Sequence, residues 1–242
     1  MVTVFVPAFN EERNLEATVR TILAAVASAG GFEKEIIIVN DGSKDRTQEI
    51  IEALQKKHPF IRSVTHKSNT GLGAGFKEAL GLARYEKFLV VPGDNDLDES
   101  SLKGLFSKMD RAETVFLFFL NDEIRGRLRN VVSGVFGIIY MATFGIFVQY
   151  VNSPCIYTTA KVRALRIRSS RFSIFAEINI KLLCQGGSYC EVPGYRQNGL
   201  QGSTSLSLKN FIEVIATYFK LVWEIQFSHR PEFNKKPVRV AV

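Results

Sequence analysis

Three carboxylates, Asp94, Asp96 and Asp98, follow directly on the apolar run Phe88–Val91. Aspartates are hard oxygen donors, and alternate residues of an extended backbone point to one side, so Asp94 and Asp96 can converge on one cation. Mg²⁺ or Mn²⁺ suits such ligands and leaves coordination positions for water and a substrate phosphate. The same residues also read as an acidic turn that caps a helix starting near Glu99. A buried strand ending in acids sets them at the crevice beyond its carboxyl end, where open α/β sheets bind ligands.

The elements that must position these aspartates are legible from the first residues. Thr3–Pro7 is a β-rich run, and Asn10 is expected to cap a helix whose apolar positions are Leu15, Val19, Ile22, Leu23 and Val26, with Gly30–Gly31 ending it. Glu35–Asn40 reads as a buried strand, Asp41–Asp45 as a turn, and Thr47 to about Lys57 as a helix. A third strand is expected near Ile61–Thr65, then the glycine-rich Asn69–Gly75, a helix through Ala83, and the strand that carries the aspartates. This β/α alternation implies an α/β fold with a mostly parallel central sheet flanked by helices and right-handed crossovers. In such a sheet Pro7–Glu11, Asp41–Asp45 and Asp94–Asp98 share one rim. Asp41 is placed to hydrogen-bond a base or ribose, and Gly71, Gly73 and Gly75 to offer amides to phosphate. No Walker lysine-serine pair is present, which argues against a P-loop nucleotidase.

Charge divides the chain. Residues 1–124 hold 15 Lys and Arg against 19 Asp and Glu, net −4, whereas residues 125–242 hold 16 against 5, net +11. The basic half points to an anionic partner, either a membrane surface or a phosphorylated substrate. No helix-turn-helix, zinc-finger or RNA-binding pattern supports nucleic acid. Cys155, Cys184 and Cys190 fit no zinc or thioredoxin spacing and read as buried thiols of a reducing compartment. Met1 runs straight into the strand-like Val2–Val6 with no leader, so the expected location is the cytoplasm.

Four segments together resemble the inverting nucleotide-sugar glycosyltransferases of family 2, which have a GT-A fold. They are Val4-Phe-Val-Pro-Ala-Phe-Asn-Glu-Glu12, Val39-Asn-Asp-Gly-Ser-Lys-Asp-Arg-Thr47, Asn69-Thr-Gly-Leu-Gly-Ala74, and Asp94-Asn-Asp96 in the place of the family's Asp-x-Asp. The resemblance implies that Pro7, Asn10, Glu11, Asp41 and Gly71 line the pocket of a UDP- or GDP-linked sugar. It implies also that Asp94 and Asp96 hold a Mg²⁺ or Mn²⁺ ion bridging the diphosphate. It covers residues 1 to about 205, taken as one domain with a nucleotide half (1–124) and an acceptor half (125–205), followed by an amphipathic helix and basic tail (206–242).

The later part resembles the polyprenyl-phosphate sugar transferases, the group that includes dolichyl-phosphate mannose synthases. A helical run Ala176–Leu183 containing Glu177 is followed by Gly186-Gly187, Glu191-Val-Pro193 and Tyr195-Arg-Gln-Asn-Gly-Leu-Gln-Gly-Ser203. The implied reaction is a single inverting displacement at the anomeric carbon, with metal charge stabilising the leaving diphosphate. A lipid phosphate arrives ionised and needs cations rather than a base, and Arg125, Arg127, Arg129 and Arg196 are candidates. Ser203 falls among the substrate contacts, and Glu177 is either a base or a structural partner for one of these arginines. Asn152-Ser-Pro154 stands where many relatives carry an aspartate, and the Gln-x-x-Arg-Trp motif of processive synthases is missing, which argues against a polymerising enzyme. A hydroxyl acceptor on a lipid or glycan, or a non-catalytic nucleotide-sugar binder, are the alternatives. Homo-oligomerisation is left open.

Val131–Val151 is a 21-residue stretch without a charge. Its glycines and polar residues, and the basic residues on both sides, argue against spanning, and an interfacial or partly buried helix pair is expected instead, with a helix of the soluble core as the alternative. Phe211–Phe227 reads as an amphipathic helix with an apolar stripe of Phe211, Ile215, Tyr218, Phe219 and Val222 and a polar one of Glu213, Thr217, Lys220 and Glu224. With Trp223 and the basic tail Lys235, Lys236 and Arg239 near headgroups, it suits peripheral contact with the cytoplasmic face of a membrane; packing on the domain or on a second subunit is the alternative.

Overall fold

The computed structural model describes residues 1–121, 127–171, 173–197 and 208–241, apart from the side chains of 128, 129 and 208–211. Its strands are β1 (Val2–Ala8), β2 (Lys34–Asn40), β3 (Ile61–Thr65), β4 (Lys87–Val90), β5 (Thr114–Phe119), β6 (Cys155–Thr158), β7 (Ser188–Gly194) and β8 (Val238–Arg239). They form one sheet in the order β3-β2-β1-β4-β6-β5-β7-β8. Every neighbouring pair is parallel except those made by β6, which runs antiparallel between β4 and β5. The mostly parallel sheet expected from the sequence is therefore present. After β3 the chain crosses to the far side of β1, so β1 and β4 flank the point where strand order reverses, the usual place for a ligand crevice.

Both faces of the sheet are covered, which is why its strands read as continuous apolar runs. Val4, Val6, Ile36, Ile38 and Leu89 face one core with α1 (Leu15–Ser28), α2 (Thr47–Lys57) and α4 (Glu99–Ser107). Phe5, Ile37, Val39, Phe88 and Val90 face the other, with α3 (Leu72–Leu82) and α7 (Ile174–Cys184). Phe5, Phe76 and Phe88 pack as mutual ring neighbours at 5.4–6.3 Å. Burial of each such side chain stabilises the fold by about 2 kcal/mol.

The helix after β1 begins later than expected. Asn10 adopts a left-handed backbone (φ 59°) and its side chain accepts from the Lys44 amide, so Asn14 rather than Asn10 is the N-cap of α1. Asp98 caps α4, its Oδ1 accepting from the Ser101 amide at 2.9 Å and its Oδ2 from Ser100 Oγ, so both its oxygens serve the helix start.

The uncharged stretch forms no helix pair of its own. α5 (Arg127–Phe144) stops at Gly145, whose φ is +64°, and Ile146, Val148 and Val151 then turn into the core. Among the described residues no helix is long and apolar enough to cross a membrane. The partner of α5 is instead α8 (Leu208–Val222), which continues as a π-helical turn through Ser228. Thr143 Oγ1 meets the Tyr218 hydroxyl at 2.7 Å, and Gln226 donates to the Thr143 carbonyl. The short α6 (Thr159–Ala164) and α9 (Arg230–Phe233) complete the helices, and residues beyond α9 do not stand apart as a tail. Lys235, Val238 and Val240 donate backbone hydrogen bonds to Cys184, Gly187 and Tyr189, adding β8 to the sheet. All three cysteines are free and buried, and burial pushes the thiols of Cys155 and Cys184 up to about 12.

Candidate functional site

The carboxyl end of β1 is the hinge of the site. On one side the Asp41 amide donates to Ala8 O at 2.9 Å, and on the other the Gly93 amide donates to Pro7 O at 3.1 Å. A side chain at position 93 would bring a Cβ within 2.8 Å of that same oxygen, so only glycine allows the aspartate turn to approach Pro7. Side chains tighten the junction. Thr18 Oγ1 donates to Gly93 O, Thr21 Oγ1 to Asn95 Oδ1, the Asn10 amide to Ser43 Oγ and the Glu11 amide to Thr47 Oγ1. Pro7, Asn10, Glu11, Asp41 and Asp94–Asp96 are thus brought to one rim.

The Asp94–Asp96 turn concentrates negative charge in a poorly solvated place. Asp94 Oδ1 accepts from the Asp96 amide at 3.2 Å, and Asn95 between them takes a left-handed φ of 55°. Burial, then the neighbouring Asp96 charge, raises the Asp94 carboxyl above the ordinary carboxylate value. Burial, followed by the charges of Asp94 and Asp45, likewise raises Glu11 against the opposing hydrogen bond from Asn14. Asp96 is 5% exposed; one oxygen pairs with the Arg196 guanidinium and the other, Oδ1, is buried with no hydrogen-bond partner among the described residues. A crowded carboxylate pair with an unmet buried acceptor fits a hard cation. Among the described residues no group of three or more His, Cys, Asp or Glu side chains gathers as a metal cage, so an ion held by Asp94 and Asp96 would draw its further ligands from beyond this pair.

Arg196 reaches the aspartates from the far side of the sheet. It follows β7, and its backbone is pinned by reciprocal bonds with Asn121 at the end of β5 and by the Gln197 amide donating to Asp96 O. Its guanidinium lies 3.5 Å from the centroid of the Phe119 ring.

Asp41 does not point an idle carboxylate at the crevice. Oδ1 accepts from the Thr70 amide, Thr70 Oγ1 and His66 Nδ1, and Oδ2 accepts from the Gly71 amide, all at 2.7–2.8 Å. Burial alone would raise this carboxyl, but the donors from His66, Thr70 and Gly71 outweigh it and hold it below its usual value. His66 also meets Glu78 at 2.8 Å, and the two carboxylates overcome the effect of burial to raise the imidazole above its ordinary value. The glycine loop is correspondingly less open than expected. Gly71 gives its amide to Asp41 and Gly73 gives its amide to Ser170 O, so neither stands free for phosphate.

Glu177 lies on the first turn of α7, buried, accepting from the amides of Arg168 and Ser169 and from Lys181 Nζ at 2.8 Å. Burial opposes its ionisation, but Lys181, Ser169 and Arg168 prevail and lower its carboxyl. A carboxylate held that way is a weak proton acceptor, and its partner is a lysine rather than one of the arginines. Arg127 is exposed at the start of α5. Arg125, Ser203 and the side chain of Arg129 lie outside the described residues.

The sequence reading missed His66, Phe119 and Asn121. Each sits at or just beyond the carboxyl end of β3 or β5, on the rim that the topology assigns to ligands, and that position was the available signal.

The model of the family described as Glycosyl transferase family 2 matches residues 3–168. Dolichyl-phosphate beta-glucosyltransferase ALG5C of Trichomonas vaginalis is 34% identical over 117 residues, covering 47% of this chain and 35% of that protein. Poly-beta-1,6-N-acetyl-D-glucosamine synthase of Staphylococcus epidermidis is 38% identical over 88 residues, covering 36% and 21%. These matches take in about a third or less of the relatives' length. Among solved structures, glucosyl-3-phosphoglycerate synthase of Mycobacterium tuberculosis, in complex with Mn²⁺, UDP and phosphoglyceric acid, superposes with a TM-score of 0.68 at 18% identity, over 92% of this chain and 78% of that one. TarS 1–349 of S. aureus with UDP-GlcNAc superposes at 0.63 and 17%, over 92% and 66%. At such identities these likenesses establish the GT-A fold.

Proposed function

The chain belongs to glycosyl transferase family 2, and from that membership we propose that it transfers one sugar from a nucleotide-sugar donor to a polyprenyl phosphate, working peripherally at the cytoplasmic face of a membrane. The observation that carries the reading is the Asp94–Asp96 turn, with one buried Asp96 oxygen unmet among the described residues and the Asp94 carboxyl raised. Asp94 and Asp96 are the residues that would hold Mg²⁺ or Mn²⁺, and a bound ion supplies the positive charge that steadies a departing nucleoside diphosphate. Asp41 and His66 fasten the glycine loop beside the donor pocket, while Pro7, Asn10 and Glu11 form its wall. The UDP complexes of the structural neighbours support a nucleotide-sugar donor.

Three features favour a lipid phosphate. The T. vaginalis relative is named for a dolichyl-phosphate acceptor, and the acceptor half carries the basic surplus. The third is an exposed apolar stripe: α8 and its π-helical continuation bury Thr217, Leu221, Glu224 and Ile225 and leave Ile212, Phe219, Trp223 and Phe227 exposed, and Val131, Val135 and Ile138 of α5 are exposed as well. Apolar stripes on two packed helices suit an interfacial position. An ionised phosphate needs no base, which accords with Glu177 acting as a positioning residue, and Arg127 with Arg196 would meet its charge.

The test is transfer from radiolabelled UDP-glucose and GDP-mannose in the presence of Mn²⁺, with polyprenyl phosphate or its free alcohol as acceptor. Turnover that requires the phosphate and disappears in Asp96→Ala is expected. Equal turnover with the alcohol would shift the acceptor to a hydroxyl, and donor binding without any turnover in the wild type would leave a binding protein.

A further inference from the structure

Asp96 and Arg196 are both almost fully buried and paired, and the pair takes up Oδ2 of the carboxylate whose unmet Oδ1 the proposed function gives to a divalent cation. We infer that Arg196 is the resident counterion of Asp96, and that it is displaced from this carboxylate by the incoming cation and so released toward a phosphate. The inference rests on the reading of Asp94 and Asp96 as cation ligands.

Electrostatics favour such an exchange. A dication on Asp96 would stand one carboxylate away from a guanidinium, both poorly solvated, and like charges at that separation repel strongly. The relief must come from movement of the arginine or from an anion placed between the two cations. The chain is built for the first without disturbing its backbone. Arg196 N–H and C=O are locked to Asn121, and the Gln197 amide to Asp96 O, so the main chain stays fixed while the side chain swings. Phe119 lies 3.5 Å beneath the guanidinium and offers a surface along which it can turn without losing its stacking. An arginine so released is planar, permanently charged and shaped for bidentate contact with phosphate. Arg196 would thus link the arrival of the cation to capture of the phosphate, one charge filling the vacancy left by the other.

Coupling of this kind is measured without turnover. Mn²⁺ alone, titrated into wild-type protein and followed by the loss of its free electron paramagnetic resonance signal, should bind at least about fivefold more tightly in Arg196→Gln and near the wild-type value in Arg196→Lys. Phenylglyoxal labelling of the wild type, read by peptide mass spectrometry, guards against a misfolded variant: Arg196 should be protected without Mn²⁺ and modified severalfold faster with it. Equal or weaker Mn²⁺ binding in Arg196→Gln, with labelling indifferent to Mn²⁺, would overturn the inference and leave the cation site standing. Mn²⁺ binding that is unchanged by Asp94→Ala and Asp96→Ala, or absent throughout, would overturn both.

Discussion

The Lys181 ammonium is completely buried and lies 2.8 Å from the Glu177 carboxylate one helical turn before it. The same nitrogen reaches Glu224 at 2.9 Å and the Arg166 carbonyl at 2.7 Å, so one cation ties α7 to the end of α8 and to the segment that precedes α7. Lys181→Met takes the ammonium from two buried carboxylates, leaving Glu224 only Arg168 at 3.6 Å and Glu177 only the amides of Arg168 and Ser169, and should cost about 3 kcal/mol in chemical denaturation. Glu177→Gln separates the two roles open to that residue. A positioning role predicts lower stability with kcat of the folded protein retained within about threefold, whereas a general base would lose about 100-fold or more.

The Asp41–His66 pair gives stability a definite dependence on pH. The imidazole is raised above its ordinary value of 6.5. Its contribution is therefore complete below that value and is lost as pH rises through the higher folded-state value. Asp41 has the opposite sign: held below 3.8, it contributes above that value and loses its contribution only as pH falls through its lower folded-state value. Between pH 6 and 9 the difference between wild type and His66→Gln should report His66 alone. Denaturant midpoints are expected to fall with pH more steeply in the wild type, and parallel curves would refute the pairing.

Gly73 is needed for proximity rather than for an unusual backbone. A Cβ there would lie 2.5 Å from the Ser170 carbonyl carbon, so Gly73→Ala must separate the glycine loop from the segment before α7. A loss of about 1–3 kcal/mol is expected, with weaker donor binding. At Gly81, in the same helix, an added methyl would meet nothing within 4 Å, and Gly81→Ala should stabilise by up to about 1 kcal/mol. Thermal melts of the two variants give the comparison.

The donor half was legible because its signals are local. Ile36–Val39 is apolar on both faces, as a covered parallel strand must be, and α2 and β3 start and end where their residue patterns place them. The departures arise from contacts distant in sequence. Asn10 looks like a cap, but Lys44, 34 residues away, takes its side chain. Gly71 and Gly73 look like phosphate donors, but Asp41 and Ser170 claim their amides. Amphipathic spacing on α8 shows two faces without saying which is inward. Lys181, buried on α7, settles it by drawing Glu224 into the core. The Asp96–Arg196 pair spans 100 residues, and neither residue's neighbours in sequence hint at the other.

With Thr217, Leu221, Glu224 and Ile225 inward, the stripe left outside leads to the membrane prediction. Phe219 and Trp223 are each 65% exposed and follow one another by a single helical turn, with Phe227 one turn further on. Residues that exposed contribute little to the fold, so Phe219→Glu with Trp223→Glu should leave stability within about 0.5 kcal/mol of wild type. Partition into a bilayer is another matter, since each side chain of this size contributes about 1.5–3 kcal/mol when it leaves water, and about 1.4 kcal/mol is tenfold in affinity. Cosedimentation with anionic vesicles should therefore fall by about tenfold or more in the double variant, and wild-type binding should weaken with salt if the basic half contributes. Unchanged vesicle binding would remove the stripe from the membrane, and loss of a dimer in sedimentation velocity would assign it to a second copy of the chain.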